Sequence, residues 1–127
     1  MGLKFYKCAK CGEVVYKVVE GSCTPQCCGV PMVELKANTT DAATEKHVPA
    51  LSVDGNKLVV KVGEVAHPML DEHYINFVAL ERADGSVTFK YLKPGEAPEA
   101  TFCKPSADTT VYEYCNLHGL WKAEYKA

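Results

Sequence analysis

Four histidines, His47, His67, His73 and His118, are the chain's entire imidazole supply, and Cys115 stands three residues before the last of them in Cys115-Asn116-Leu117-His118. Imidazole and thiolate are borderline-to-soft donors suited to iron, copper and zinc. Four imidazoles with one thiolate exceed what a tetrahedral zinc site uses, so this set points to a five-donor site and to iron. A second donor set lies near the N-terminus, where Cys8 and Cys11 form a CxxC knuckle and Cys27 and Cys28 are adjacent. Four thiolates in a small loop-rich segment bind iron or zinc tetrahedrally. Adjacent cysteines cannot both follow the usual knuckle geometry, so a distorted tetrahedron is expected. Cys23 leaves a looser pairing with Cys27 or Cys28 open.

Plainer readings stand beside these. A lone histidine is ordinarily a surface or hydrogen-bonded core residue, although four in four separate motifs argue against that for the set. Met69, in His67-Pro68-Met69, raises copper, because blue-copper sites join two histidines and a cysteine to a weak methionine. Four histidines fit that poorly, and Met69 reads as packing. The N-terminal thiolates could equally make a structural zinc ribbon. Cys103 reads as a buried or free thiol, and Trp121 as core or a neighbour of His118.

The elements that hold these donors must be short. Residues from about 4 to 35 read as two short strands around metal knuckles, with Lys4-Phe5-Tyr6-Lys7 leading into Cys8 and a β-rich run over Val14-Val15-Tyr16-Lys17-Val18-Val19. So little chain buries little apolar surface, so its cysteines and metal serve as the core. The polar stretch Lys36-Ala37-Asn38-Thr39-Thr40-Asp41 marks a boundary, giving domains 1–36 and 37–127. Beyond it, Lys57 to Val62, Tyr74 to Glu81, Val87 to Leu92, Ala100 to Cys103 and Val111 to Cys115 are β-rich, with turn signals at Asp54-Gly55, Ala83-Asp84-Gly85-Ser86 and Lys93-Pro94-Gly95. Short runs at this spacing predict a β-sandwich. Simple alternation from His73 would put Ile75, Phe77 and Ala79 on one face, and Tyr74, Asn76, Val78 and Leu80 on the other.

Composition narrows the class. At 127 residues the chain suits one domain, or one with a small metal-stapled module in front. Hydrophobic content of 47% and charged content of 24% are those of a soluble globular protein, and no apolar run approaches a membrane span. A net charge of −2 without basic runs gives no footprint for nucleic acid. Met1-Gly2-Leu3-Lys4-Phe5-Tyr6 lacks the apolar stretch of a secretory signal, so a cytoplasmic location is expected, where cysteines serve as metal ligands or free thiols.

Five motifs occur in one order: the CxxC and CC pairs, Glu45-Lys46-His47-Val48-Pro49, Ala66-His67-Pro68-Met69, Asp71-Glu72-His73-Tyr74-Ile75, and Cys115 through Trp121. Together they closely resemble desulfoferrodoxin, the two-iron form of superoxide reductase, over nearly the whole chain. The resemblance implies an immunoglobulin-like β-sandwich catalytic domain preceded by a desulforedoxin- or rubredoxin-like module. It also implies two irons per chain. One would be held by His47, His67, His73 and His118 in an approximate plane with Cys115 axial and a sixth position open, the other by Cys8, Cys11, Cys27 and Cys28, with Cys23 unliganded. Glu45 and Lys46 would be catalytic, the lysine drawing in superoxide and helping with its protons, the glutamate able to take the sixth position. Superoxide as substrate, a rubredoxin-like electron donor and a homodimer follow from the same resemblance. An electron carrier without turnover and a zinc-stapled binding module are the alternatives from other classes.

Overall fold

The computed structural model describes residues 2–39, 47–63 and 67–127. The chain divides into two compact units, Met1–Lys36 and Ala37–Ala127.

In the first unit β1 (Phe5–Lys7) is the centre of a three-stranded antiparallel sheet, flanked by β2 (Val14–Tyr16) and β5 (Val33–Leu35), while β3 (Gln26–Cys27) and β4 (Val30–Pro31) form a two-residue hairpin. Tyr6, Cys8 and Met32 make its small buried cluster, with Val15 and Cys27 packed on it. The β-rich run from Val14 stops early. Its ladder ends at Phe5↔Tyr16, with one further contact from Lys17 N–H to the Lys4 carbonyl at 3.3 Å. Val18 and Val19 are left exposed, because high β-propensity makes no strand without a partner to pair with.

The second unit is a sandwich of two antiparallel sheets. β6 (Pro49–Asp54), β7 (Lys57–Val62) and β10 (Glu99–Cys103) are ordered β10-β7-β6, and β8 (Ile75–Arg82), β9 (Val87–Tyr91), β11 (Thr109–Cys115) and β12 (Gly119–Tyr125) are ordered β12-β11-β8-β9. Three strands over four is the strand count of a constant-type immunoglobulin sandwich. Alternation explains the inner faces. Leu58, Val60 and Val62 of β7 are buried while Lys57 and Lys61 are exposed, and Ala100 and Phe102 of β10 meet Val78, Leu80, Val111 and Tyr125 from the other sheet. Each aliphatic side chain so buried is worth about 1.5–3 kcal/mol. Gly55 turns the β6–β7 hairpin with φ +61, a left-handed conformation that favours glycine after Asp54.

Alternation fails at one place, and the exception matters for the site. Opposite β11, Tyr114 pairs with Phe77 but Cys115 pairs with Ile75, so Asn76 is an extra residue on β8. Its carbonyl still accepts from Leu92 N–H at 2.9 Å on the β9 side. This bulge turns Ile75 onto the core face with Val78 and Leu80, whereas Phe77 lies on the opposite face against Phe89 and Tyr114. Ile75, Phe77 and Ala79 therefore do not share a face. No helix among the described residues is long and apolar enough to cross a membrane.

Candidate metal centres

Antiparallel topology gathers the histidine site at the sandwich's end. Cys115 is the last residue of β11, which lies between the start of β8, just after His73, and the start of β12, just after His118. In the other sheet His47 precedes the start of β6, which pairs with the end of β7, and His67 follows β7 in the loop toward β8. The Asn116-Leu117-His118 turn closes on Gly119 at φ +81, so the strand reverses within three residues of its cysteine.

His47, His67, His73, His118 and Cys115 bring one donor atom each to within 4.8 Å of all the others. The four rings form a closed cycle, with neighbouring centroids 4.7 Å (His47–His67), 4.8 Å (His67–His73), 5.0 Å (His73–His118) and 4.8 Å (His118–His47) apart. Each neighbour is turned edge-on, at 77° to 89°. His47 Nε2 lies 3.1 Å from His67 Nε2 and 3.0 Å from His118 Nδ1. A single proton on one nitrogen cannot serve both contacts, whereas a cation between them serves all three. Two nitrogens bound at right angles, about 2.1 Å from one ion, stand about 3.0 Å apart. Cys115 Sγ, fully buried, is 4.0 Å from His118 Nδ1. The donor chemistry and the spacing both fit a transition metal.

Surrounding groups fix which nitrogen faces inward. His67 Nδ1–H donates to the Pro68 carbonyl at 2.6 Å, which leaves the Nε2 lone pair for the site. Burial, and after it the neighbouring imidazoles, hold the His67 pKa down to about 4, so this ring is neutral at pH 7. Trp121 stacks on His47 with centroids 4.9 Å apart at 22° and donates its Nε1–H to the His118 carbonyl at 3.0 Å. It therefore touches two of the four ligand residues. Met69 packs against the sandwich core, and its sulfur accepts the Ile75 N–H at 3.5 Å, as packing rather than ligation requires.

One buried polar residue escaped the sequence reading. Glu113 is fully buried and neither carboxylate oxygen has a hydrogen-bond partner. It sits on β11 between Val111 and Cys115 on the face turned to the core, opposite Val78 and Trp121. Burial raises its pKa well above the usual carboxylate value. The signal was available, because strand alternation from Val111 to Cys115 passes inward through position 113.

In the first unit Cys8, Cys11, Cys27 and Cys28 also converge within 4.8 Å, and the exposed Cys23 stands outside the group. Cys11 and Cys27 sulfurs are 3.5 Å apart, those of Cys27 and Cys28 3.8 Å. Sulfurs set tetrahedrally about 2.3 Å from one ion stand about 3.8 Å apart. The knuckle turns through Gly12 at φ +82, and the Cys11 N–H points at Cys8 Sγ from 3.4 Å. That N–H is the main reason the Cys8 thiol is lowered to about 6. Cys28 adopts φ +54, a left-handed conformation costing a non-glycine residue about 1–2 kcal/mol. This strain is how two adjacent cysteines reach one centre. Cys103 is an exposed free thiol rather than a buried one. Glu45 and Lys46 lie outside the described residues.

The desulfoferrodoxin family model matches residues 39–124. The chain belongs to the desulfoferrodoxin family. It is 48% identical over 121 residues to the desulfoferrodoxin of Nitratidesulfovibrio vulgaris, covering 95% of both chains, and 46% identical over 121 residues to the desulfoferrodoxin homolog of Archaeoglobus fulgidus, covering 95% of this chain and 96% of that one. Among solved structures, the superoxide reductase of Treponema pallidum is similar with a TM-score of 0.76 and 36% identity, over 97% of this chain and 99% of that one. The superoxide reductase of Giardia intestinalis is similar with a TM-score of 0.57 and 28% identity, over 65% of this chain and 99% of that one. The desulfoferrodoxin two-iron architecture, one four-histidine, one-cysteine site and one four-cysteine site, is matched by the two donor groups.

Proposed function

We propose that this member of the desulfoferrodoxin family is a superoxide reductase. The observation that carries the reading is the closed ring of four imidazoles with a buried thiol beside it. His47, His67, His73, His118 and Cys115 would hold the catalytic iron. Cys8, Cys11, Cys27 and Cys28 would hold the other, within a desulforedoxin-like module of residues 1–36 in front of a catalytic domain of residues 37–127. A ferrous ion bound there would supply the one electron by which superoxide, with two protons, becomes hydrogen peroxide, and an external rubredoxin-like donor would return that electron.

The chain's own residues prepare the site for an anion. Neutral imidazoles add no charge, as the depressed His67 pKa illustrates, so a bound divalent cation keeps net positive charge against one thiolate. Lys46, next to His47 in sequence, would add a positive charge to that attraction, and Glu45 a carboxylate able to bind the metal. A homodimer in the cytoplasm completes the reading. Iron analysis should find two irons per chain, and the reduced protein should form one hydrogen peroxide per superoxide consumed without releasing dioxygen. Half that peroxide yield with dioxygen release would mean a dismutase, no consumption an electron carrier, and zinc in place of iron a structural module.

A further inference from the structure

Among the donor residues, His73 stands outside any named strand. It lies in the loop before β8, joined to Leu70 by an isolated bridge, with hydrogen bonds of 2.9 and 3.1 Å, and β8 begins with the bulge at Asn76. Such a loop does not by itself determine where a ring sits relative to Cys115 and His118, which lie more than forty residues further along.

One side chain spans that gap. Asn116, between Cys115 and His118 in the sequence, accepts the Tyr74 N–H on its Oδ1 at 3.0 Å and donates from Nδ2 to the Glu72 carbonyl at 3.1 Å. Its own backbone N–H donates to the Tyr74 carbonyl at 3.3 Å. The two residues it grips are the immediate neighbours of His73, one on each side. The two contacts use a donor and an acceptor on separate atoms of one short planar head, which an amide has and an ionised carboxylate lacks.

We infer that Asn116 is a positioning residue for the histidine centre: its amide clips the His73 loop onto the turn carrying Cys115 and His118 and so closes the imidazole ring. The inference rests on the reading of those five residues as a metal site. Residues that orient metal ligands through hydrogen bonds change metal affinity about 10- to 100-fold when removed.

The test uses the full-length chain loaded with cobalt(II), whose visible spectrum distinguishes a four-thiolate site from one rich in imidazole, and follows release to a chelator. Asn116→Ala should release cobalt from the histidine site about 10- to 100-fold faster and shift that site's visible bands at saturating metal. Release from the four-cysteine site should be unchanged, as an internal reference. A purely structural role would lower the unfolding midpoint but leave the bands of the loaded site where they are, and that outcome overturns the inference. Should Asn116→Ala fail to fold, Asn116→Asp keeps the acceptor for Tyr74 and loses the donor to Glu72. Its added negative charge alone would hold cobalt more tightly, so faster release from it supports the clip, and unchanged or slower release overturns it. If the parent chain takes up no cobalt at the histidine site, the metal reading itself fails, a result distinct from normal uptake with normal retention in the variants.

Discussion

Replacing Glu113 by Gln should make the stability of the sandwich less sensitive to pH. The carboxyl is fully buried on β11, neither oxygen has a hydrogen-bond partner, and burial raises its pKa well above the usual value. In the unfolded chain a glutamate titrates near about 4.3. Between that value and the raised native one, the unfolded chain has lost a proton the native chain keeps. Stability is therefore fully present below about pH 4.3 and falls by about 1.4 kcal/mol per pH unit as pH rises, until the native carboxyl ionises. Glutamine has nearly the same shape and no titration. Its own unpaired amide adds an offset that does not depend on pH, so the slope of the difference is the quantity to read. His67 runs the other way. Its depressed pKa contributes stability present above about 6.5 and lost as pH falls toward 4, but this is common to both proteins and cancels in their difference. The assay is urea unfolding from pH 4.5 to 7.5 on chain prepared without metal at the histidine site, since a cation would favour the ionised carboxyl. Trp121, the single tryptophan, reports on the sandwich alone. A stability difference that stays flat over this range would refute the buried, neutral carboxyl.

Three further outcomes are expected. Cys115→Ser should abolish the sulfur-to-iron charge-transfer band of the oxidised histidine site and leave the N-terminal absorption intact, because the two donor groups share no residue. Optical spectra of the iron-loaded variant check this. Cys28→Ser should lose iron only at the N-terminal site and Cys23→Ser at neither, as metal analysis would read out; iron lost from Cys23→Ser would return Cys23 to the ligand set. Lys46→Ala should slow the second-order reaction with superoxide by about tenfold, since a unit charge about 4 Å from an anion is worth about 1–4 kcal/mol between bulk water and a protein surface. The effect should shrink as salt screens the charge, and pulse radiolysis at low ionic strength that finds no change would remove the guiding role.

Residue chemistry was legible in the sequence because donor atoms are properties of residue types. His47, His67, His73, His118 and Cys115 are the chain's complete histidine set and the cysteine spaced three from its end, whereas residue chemistry left Cys23 open beside Cys8, Cys11, Cys27 and Cys28, and only the family resemblance set it aside. Most strands were legible as well, since alternation and Gly-marked turns are local. In the second unit Pro49–Asp54 and Gly119–Tyr125 went unread, and in the first unit Gln26–Cys27, Val30–Pro31 and Val33–Leu35 did. Pro49–Asp54 runs from a buried start to an exposed end and Gly119–Tyr125 begins inside the ligand motif, so neither has a clean two-residue period. Tertiary structure alone decided what depends on partners distant in sequence. Val18 and Val19 have strand propensity but no ladder to join. The bulge at Asn76 exists only relative to β11, and no period within β8 announces it. Alternation points Glu113 inward, but only the second sheet closing over it leaves its carboxyl buried without a partner, and the Asn116 amide has nothing to grip until Glu72 and Tyr74 are brought to it. Ligand identity is carried by single residues, whereas ligand geometry is a relation between segments that only the folded sandwich brings together.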